Sequence, residues 1–185
     1  MSTTTINVEN KNDINSIKEA LEDLYNEAIT THELDLNEIE IILSKYRLFG
    51  LIPSQDCLAE TICCNHKDLA LRLMDEPYCI EPDVACLSYA IENQDHELIQ
   101  KFLELGVEVE YCCLQYAITA CNIKLITYFI EELKIPVDSE LEWDIENNPQ
   151  PQDEFSPDER INRNKIIKNI IQRNLDDDLE SECSE

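Results

Sequence analysis

The chain has little glycine, few basic residues and no long apolar run, and each shortage excludes a class of function. Its two glycines, among 185 residues, stand far apart and leave no place for a glycine-rich phosphate-binding loop. No apolar run approaches the ~20 residues of a membrane-spanning helix. The first residues also lack the basic start and apolar stretch of a secretory signal. The sequence therefore predicts a cytoplasmic protein that binds no membrane.

The shortage of bases leaves a formal net charge of −26, from 40 acidic and 14 basic residues. A field of that sign repels nucleic acids and attracts basic protein surfaces. The sequence thus predicts a protein partner with a basic surface and no direct contact with nucleic acid. Acidity that serves only solubility is the alternative reading, and it stays open.

The residues needed for thiol or metal chemistry are poorly placed. There are nine cysteines and three histidines, and the negative field raises thiol pKa values, which disfavours a catalytic cysteine. Cys57, Cys63, Cys64 and His66 are potential zinc ligands, but they lack the Cys-x2-Cys spacing typical of zinc sites. Most cysteines are interpreted as reduced, small core side chains. The sequence therefore predicts no enzyme, no metal and no cofactor.

One pattern occurs three times between residues 57 and 132. When Leu58, Leu87 and Leu114 are aligned, each follows a cysteine, and each precedes a small residue and isoleucine, a further leucine and a bulky apolar pair. A repeat of this length, with two helices in each unit, is typical of solenoids, whose units bury their apolar faces against their neighbours. Solenoids present extended surfaces to partners, so the repeat favours a binding protein.

The predicted organisation has five parts. They are a flexible N-terminus over 1–12, helical repeats over 13–138 with units at about 13–50, 57–83, 86–110 and 113–138, an acidic irregular arm over 139–157, a C-terminal capping helix over 157–175 and a disordered acidic tail over 176–185. Within the arm, Trp143, Ile145 and Phe155 are expected to pack on the last repeat.

Helix ends and inward faces follow from caps and apolar spacing. The first helix is predicted from an N-cap at Asp13 to near Thr31, and the second over about 36–48. In the central units the first helices should begin near Cys57, Cys86 and Cys113, and the second helices near His66, Asp95 and Asn122. Gly50 and Gly106 fit the left-handed position after a helix end. The C-terminal helix has Ser156 as predicted N-cap and Pro157 as first residue.

The predicted inward sets complete these helices. They are Ile14, Ile17, Ala20, Leu21, Leu24, Tyr25, Ala28 and Ile29 in the first helix, Ile39, Ile42, Leu43 and Tyr46 in the second, and Ile161, Ile166, Ile167, Ile170 and Ile171 in the C-terminal helix.

The repeated units resemble ankyrin repeats. Cys86-Leu87-Ser88 stands where that family has Pro-Leu-His, Ala90-Ile91 where it has Ala-Ala, and Gly106-Val107 where it has Gly-Ala. The period is shorter than the family's 33 residues, and the glycine before the second helix and the hairpin between units are missing. The resemblance implies an all-α, ankyrin-like solenoid with short loops between repeats. Divergent repeats of this kind occur in viral and intracellular-bacterial proteins, which implies a possible host cytoplasm.

The resemblance also implies which residues would face a partner. The concave face would carry Glu60, Tyr89 and Tyr116, with Cys63, Glu92 and Thr119 one turn later, and the loop edge would carry Glu81, Asp83, Glu108, Glu110 and Tyr111. The tyrosines would be interface anchors. Tyrosines that only pack between helices, and acids that only form a solvated rim, are the alternatives.

The predicted function is that of a non-catalytic adaptor or inhibitor that docks an acidic surface on a basic region of a partner protein, with a monomer favoured. The alternative is an acidic nucleic-acid mimic that blocks a DNA- or RNA-binding enzyme such as a nuclease, as a viral or bacterial effector that counteracts a defence system. An assembly unit joined by an exposed edge or by Cys183 is a third class.

Overall fold

The structure is a computed structural model that describes residues 11–30, 35–137, 141 and 157–182, with side chains at 14–30, 35–137, 141 and 161–174. All regular structure in these ranges is helical, so the predicted all-α class is confirmed. No helix in the described ranges has both the length and the apolar character that crossing a bilayer requires. The chain divides into two compact units, Met1–Pro82 and Asp83–Glu185.

The first unit contains two helical pairs. Its helices are α1 (Lys11–Thr30), α2 (Leu36–Leu48), α3 (Gln55–Cys63) and α4 (Lys67–Met74). Helix α1 packs against α2 and α3, and α3 packs against α4. His66, at the start of α4, is joined to the end of α1, because its Nε2–H donates to the Ile29 carbonyl oxygen at 3.0 Å.

Helix α1 is longer and less buried than predicted. It begins at Lys11, so Asp13 lies inside the helix and is not its N-cap. Leu21, Tyr25, Ala28 and Ile29 are buried, Ile17 is half-buried, and Ile14, Ala20 and Leu24 are exposed. The predicted apolar face was therefore too wide. The buried positions concentrate in the second half of the helix, and the packing on α2 and α3 leaves most of the first half uncovered.

Helix α2 matches its prediction. The Asp35 side chain accepts a hydrogen bond from the Asn37 N–H at 2.8 Å, which caps the helix. Ile39, Ile42, Leu43 and Tyr46 are buried, as their spacing predicted.

The second unit contains two further pairs and the C-terminal helix. Its elements are α5 (Val84–Glu92), α6 (His96–Glu104), α7 (Tyr111–Thr119), α8 (Ile123–Thr127) with a π-helical turn at Tyr128–Glu132, and α9 (Pro157–Glu182). Helix α5 packs on α6 and α7, α7 packs on α8, and α9 packs on α8 and the π-helical turn.

The first helices of the central units begin two residues earlier than predicted, because polar caps precede the repeated cysteines. Ser54 and Asp83 accept hydrogen bonds from the backbone N–H groups of Cys57 and Cys86, three residues further on. The second helices follow N-caps at His66, Asp95 and Asn122, which confirms those predicted starts.

A left-handed residue lies two positions after the ends of α2, α3, α5, α6, α7 and the π-helical turn. Gly50 and Gly106 have φ of 67° and 78°, and five other residues also have positive φ: Asn65, Cys79, Gln94, Cys121 and Lys134. At Gly106, the N–H donates to the Leu103 carbonyl and the next N–H donates to the Phe102 carbonyl. This is the Schellman pattern that a left-handed residue closes. The two glycines therefore adopt the left-handed conformation as predicted. At the other positions a residue with a side chain adopts the same conformation.

We expect Lys134→Gly to stabilise the fold by about 0.5–1 kcal/mol. Lys134 is exposed with φ of 56°, a conformation that costs a residue with a Cβ more than the chain entropy that glycine loses on folding. Chemical denaturation followed by circular dichroism would measure the gain. Lys134→Ala is the matched control, because it removes the same charge and keeps the Cβ, and an equal gain in both variants would contradict the backbone explanation.

Helix α9 differs from its prediction in length and in face. It continues to Glu182, seven residues beyond the expected end at Leu175, because no glycine or proline follows to stop it. Much of the predicted tail over 176–185 is therefore helical. Ile167, Ile170 and Ile171 are buried, whereas Ile166 is exposed and Ile161 is 68% exposed. Packing on one side against α8 covers only part of the predicted apolar set.

Two contacts of α9 tie it to the rest of the unit. Arg163 Nη1–H donates to the Cys121 carbonyl oxygen at 3.0 Å, at the left-handed residue between α7 and α8. Arg173 Nη2 lies 3.6 Å from Glu131 Oε1. This pair agrees with the interpretation that the basic helix faces acids of the last repeat, although exposed pairs of this kind contribute little stability.

Several predictions fall outside the described residues. They concern residues 1–10 of the flexible N-terminus predicted over 1–12, the packing of Trp143, Ile145 and Phe155, the cap at Ser156, and Cys183. At 11–12 that prediction is wrong, because these residues belong to α1. Within the arm, Leu141 is described and is buried.

Candidate protein-binding surface

The two tyrosines of the predicted concave face lie on helices that pack together. Tyr89 is on α5 and Tyr116 on α7, and both are half-buried. Each stands in a run of buried neighbours, Leu87, Ser88 and Ala90 on α5 and Leu114 and Ala117 on α7. Each tyrosine is therefore partly packed against the fold, and part of its side chain remains accessible.

A buried polar contact links the two helices that carry these tyrosines. The Ser88 Oγ lies 3.5 Å from the Cys113 Sγ and 3.6 Å from the Cys112 Sγ. Ser88 precedes Tyr89, and Cys113 is one helical turn before Tyr116. The contact thus links α5 to α7 at residues close in sequence to both tyrosines.

The second unit has exposed carboxylates close in sequence to these tyrosines and to Tyr111. Glu92 is exposed one turn after Tyr89, and Glu108 and Glu110 are exposed in the segment before α7. Glu110 occupies the N-cap position of α7 without a side-chain capping bond, whereas Tyr111, the next residue, is half-buried. We define these six residues, Tyr89, Glu92, Glu108, Glu110, Tyr111 and Tyr116, as the tyrosine–glutamate surface.

The remaining predicted residues have other surroundings. Asp83 is half-buried, and its carboxylate accepts from the Cys86 N–H at 3.0 Å, so it caps α5. Glu60 on α3 is half-buried and Glu81 is exposed, and both belong to the first unit. The Glu81 carbonyl oxygen accepts from Gln55 Nε2 at 3.0 Å. Thr119 is half-buried and bonds the Gln115 carbonyl of its own helix, and Cys63 is exposed.

The repeated cysteines are packing residues in this structure. Cys57, Cys86 and Cys113 are fully buried. Burial raises the pKa of the Cys57 and Cys113 thiols, and it raises the pKa of Cys86 to about 12. Since the thiolate is the nucleophilic form, these three side chains are held in the unreactive thiol form near neutral pH.

Sequence reasoning missed a groove between α6, α8 and α9. Its volume is about 800 Å³, and Leu103, Ile123, Leu125 and Tyr128 contribute apolar lining. Lys124 and Arg163 also line it, together with His96 and Glu104, so the groove lacks the negative charge excess of the chain as a whole. His96 and Lys124 both lie in the first turn of a second helix. This shared position in the repeat was the sequence feature that could have indicated the groove.

Within the described ranges, no group of three or more histidine, cysteine or acidic side chains is arranged to hold a metal ion. The chemistry available at the tyrosine–glutamate surface is aromatic packing and hydrogen-bond acceptance from cations. Comparison of the chain with protein-family models, with curated proteins and with solved structures found no match.

Proposed function

We propose that the chain is a non-catalytic adaptor or inhibitor, acting in a cytoplasm, whose tyrosine–glutamate surface docks on a basic region of a partner protein. The observation that carries the proposal is the placement of Tyr89 and Tyr116 on packed helices with exposed glutamates beside them. Aromatic side chains that are already partly immobilised by packing lose little conformational entropy on binding. They are therefore suited to act as anchors.

The charge of the chain supports the same partner class. A net charge of −26 accelerates encounter with basic surfaces and repels acidic ones. Glu92, Glu108 and Glu110 then place carboxylates where arginine or lysine side chains of the partner would arrive. Recognition of this kind weakens as salt screens the charges, over a distance of about 8–10 Å at physiological ionic strength.

We further propose that the helical pairs are units of an ankyrin-like solenoid. Leu58, Leu87 and Leu114 are fully buried at equivalent positions, which supports a repeated environment. The residues before the second-helix caps, Asn65, Gln94 and Cys121, all have positive φ. Ankyrin repeats carry glycine at that place, so a conserved backbone conformation with a different residue fits the resemblance.

The proposed function predicts that loss of the local charges weakens binding more than loss of charges elsewhere. Partners captured from a lysate at low salt should fall away at moderate salt, and a purified partner from that set provides the quantitative test. We expect the triple variant Glu92→Gln/Glu108→Gln/Glu110→Gln to bind it at least about tenfold more weakly by calorimetry, and Tyr89→Ala to weaken it by a similar factor.

Glu19→Gln/Glu27→Gln/Glu132→Gln is the matched control, because it removes three exposed charges outside the surface. Equal weakening by both triple variants would show that only net charge matters and would contradict the proposal. Competition between the chain and DNA or RNA for the same partner would favour the nucleic-acid mimic instead, whereas simultaneous binding would exclude it.

A further inference from the structure

Helix α2 has a second apolar face, opposite the one that it buries. Ile41 is 59% exposed and Leu48 is 76% exposed. Together with Glu40, Ser44 and Lys45 they line a depression of about 360 Å³. These residues recur at the helix period on the side away from the unit's core. The outward face of α2 is thus an open apolar stripe in a strongly acidic chain.

The charges beside this stripe have a regular order. Glu38 and Lys45 lie on one side of it, and Glu40 and Arg47 lie on the other, in both cases two helical turns apart. Each side is therefore acidic toward the N-terminus and basic toward the C-terminus. The helix carries equal numbers of acidic and basic residues, so it lacks the negative charge excess of the whole chain.

We infer that α2 pairs in an antiparallel manner with α2 of a second copy of this chain. In an antiparallel helix pair, each flank faces the same flank of the other helix. Glu38 of one copy then faces Lys45 of the other. Glu40 is already paired with the Arg72 guanidinium of its own chain, so the Glu38–Lys45 pair carries the charge complementarity. Two-fold symmetry forms each contact twice. A parallel pair would bring acids near acids and bases near bases, so the charge order selects the antiparallel arrangement.

The apolar residues fit the same arrangement. The symmetry axis passes near the middle of α2, so Ile41 of one copy enters the depression beside Ser44 and Leu48 of the other. A single helix face on each side is small compared with the ~1,200–2,000 Å² of stable interfaces. The dimer is therefore weak and depends on concentration, which departs from the monomer that the sequence favoured.

Sedimentation equilibrium of the full chain tests this inference, with reductant present and at one moderate salt concentration that screens repulsion. We expect a monomer–dimer equilibrium that Ile41→Glu weakens at least tenfold. Leu105→Glu is the matched control, because Leu105 is 58% exposed in the second unit and the charge change is the same. A chain that stays monomeric at high concentration, or a dimer that Ile41→Glu leaves intact, would overturn the inference.

Charge exchange tests the orientation. Glu38→Lys and Lys45→Glu should each weaken the dimer, because each places like charges opposite one another. The double variant should recover most of the association, since the pair is restored with its charges reversed. No recovery in a double variant with an unchanged circular dichroism spectrum would refute the antiparallel arrangement. This outcome is independent of the tyrosine–glutamate surface, whose binding Ile41→Glu should leave unchanged.

Discussion

Leu87→Ala is expected to lower the free energy of unfolding by about 3 kcal/mol. Leu87 is fully buried on α5, and removing most of a buried leucine side chain costs both its transfer energy and the cavity left behind, together ~2–5 kcal/mol. Leu58→Ala and Leu114→Ala should cost similar amounts, because both leucines are equally buried at the same place in the repeat. Urea denaturation followed by the helical circular dichroism signal would measure all three.

Leu105→Ala serves as the control for these variants, because Leu105 is mostly exposed and its loss should change stability by less than about 0.5 kcal/mol. Costs that differ widely among Leu58, Leu87 and Leu114 would contradict the view that the three occupy equivalent environments. Their similarity would support a repeated core more directly than burial alone.

The second large effect is a loss of stability at alkaline pH. Burial raises the pKa of Cys86 from 9.0 to about 12, and burial also raises the pKa of Cys57, Cys113, Tyr25 and Tyr46. Between pH 9 and pH 12 the unfolded chain releases protons that the folded chain keeps. The stabilisation is therefore complete below pH 9 and is lost as pH rises, at up to about 1.4 kcal/mol per pH unit for each group.

Denaturation at about pH 8.5 and about pH 10.5 would measure this loss. Cys86→Ala removes the contribution of one group. Its free energy of unfolding should therefore fall by roughly 2 kcal/mol less between these two pH values than that of the unaltered chain. Leu87→Ala provides the comparison, because it destabilises the same helix without removing a titrating group, and its slope should match that of the unaltered chain. A slope that Cys86→Ala does not change would refute the assignment.

Much of the fold follows from local rules that a sequence exposes. The caps at Asp95 and Asn122 and the buried face of α2 needed only hydrogen-bonding side chains and apolar spacing. The errors arose where tertiary packing decides. Leu24 and Ile161 have the correct spacing for burial, but no helix among the residues that the structure describes covers them. The end of α9 was also misplaced, since charge alone does not stop a helix that meets neither glycine nor proline.

The candidate surface was only partly accessible to the same reasoning. The third position of the repeat indicated Tyr89 and Tyr116, and both lie where part of each ring remains exposed. The polar contact between their helices, from Ser88 to Cys113, joins residues distant in the sequence and had no pattern to reveal it. The sequence grouped Asp83 with the other loop acids, Glu81, Glu108 and Glu110, and only the structure shows that the Asp83 carboxylate caps α5.

The left-handed junctions have a consequence for how this architecture diverges. Each junction at Asn65, Gln94 and Cys121 is defined by two main-chain hydrogen bonds and one positive φ, and an amide, a longer amide and a thiol side chain all occupy it. The residue type at such a place can drift while the angle between successive helices persists. Distant relatives of this chain are therefore better sought by the backbone conformation of the junctions between their helices than by the amino acids at those junctions.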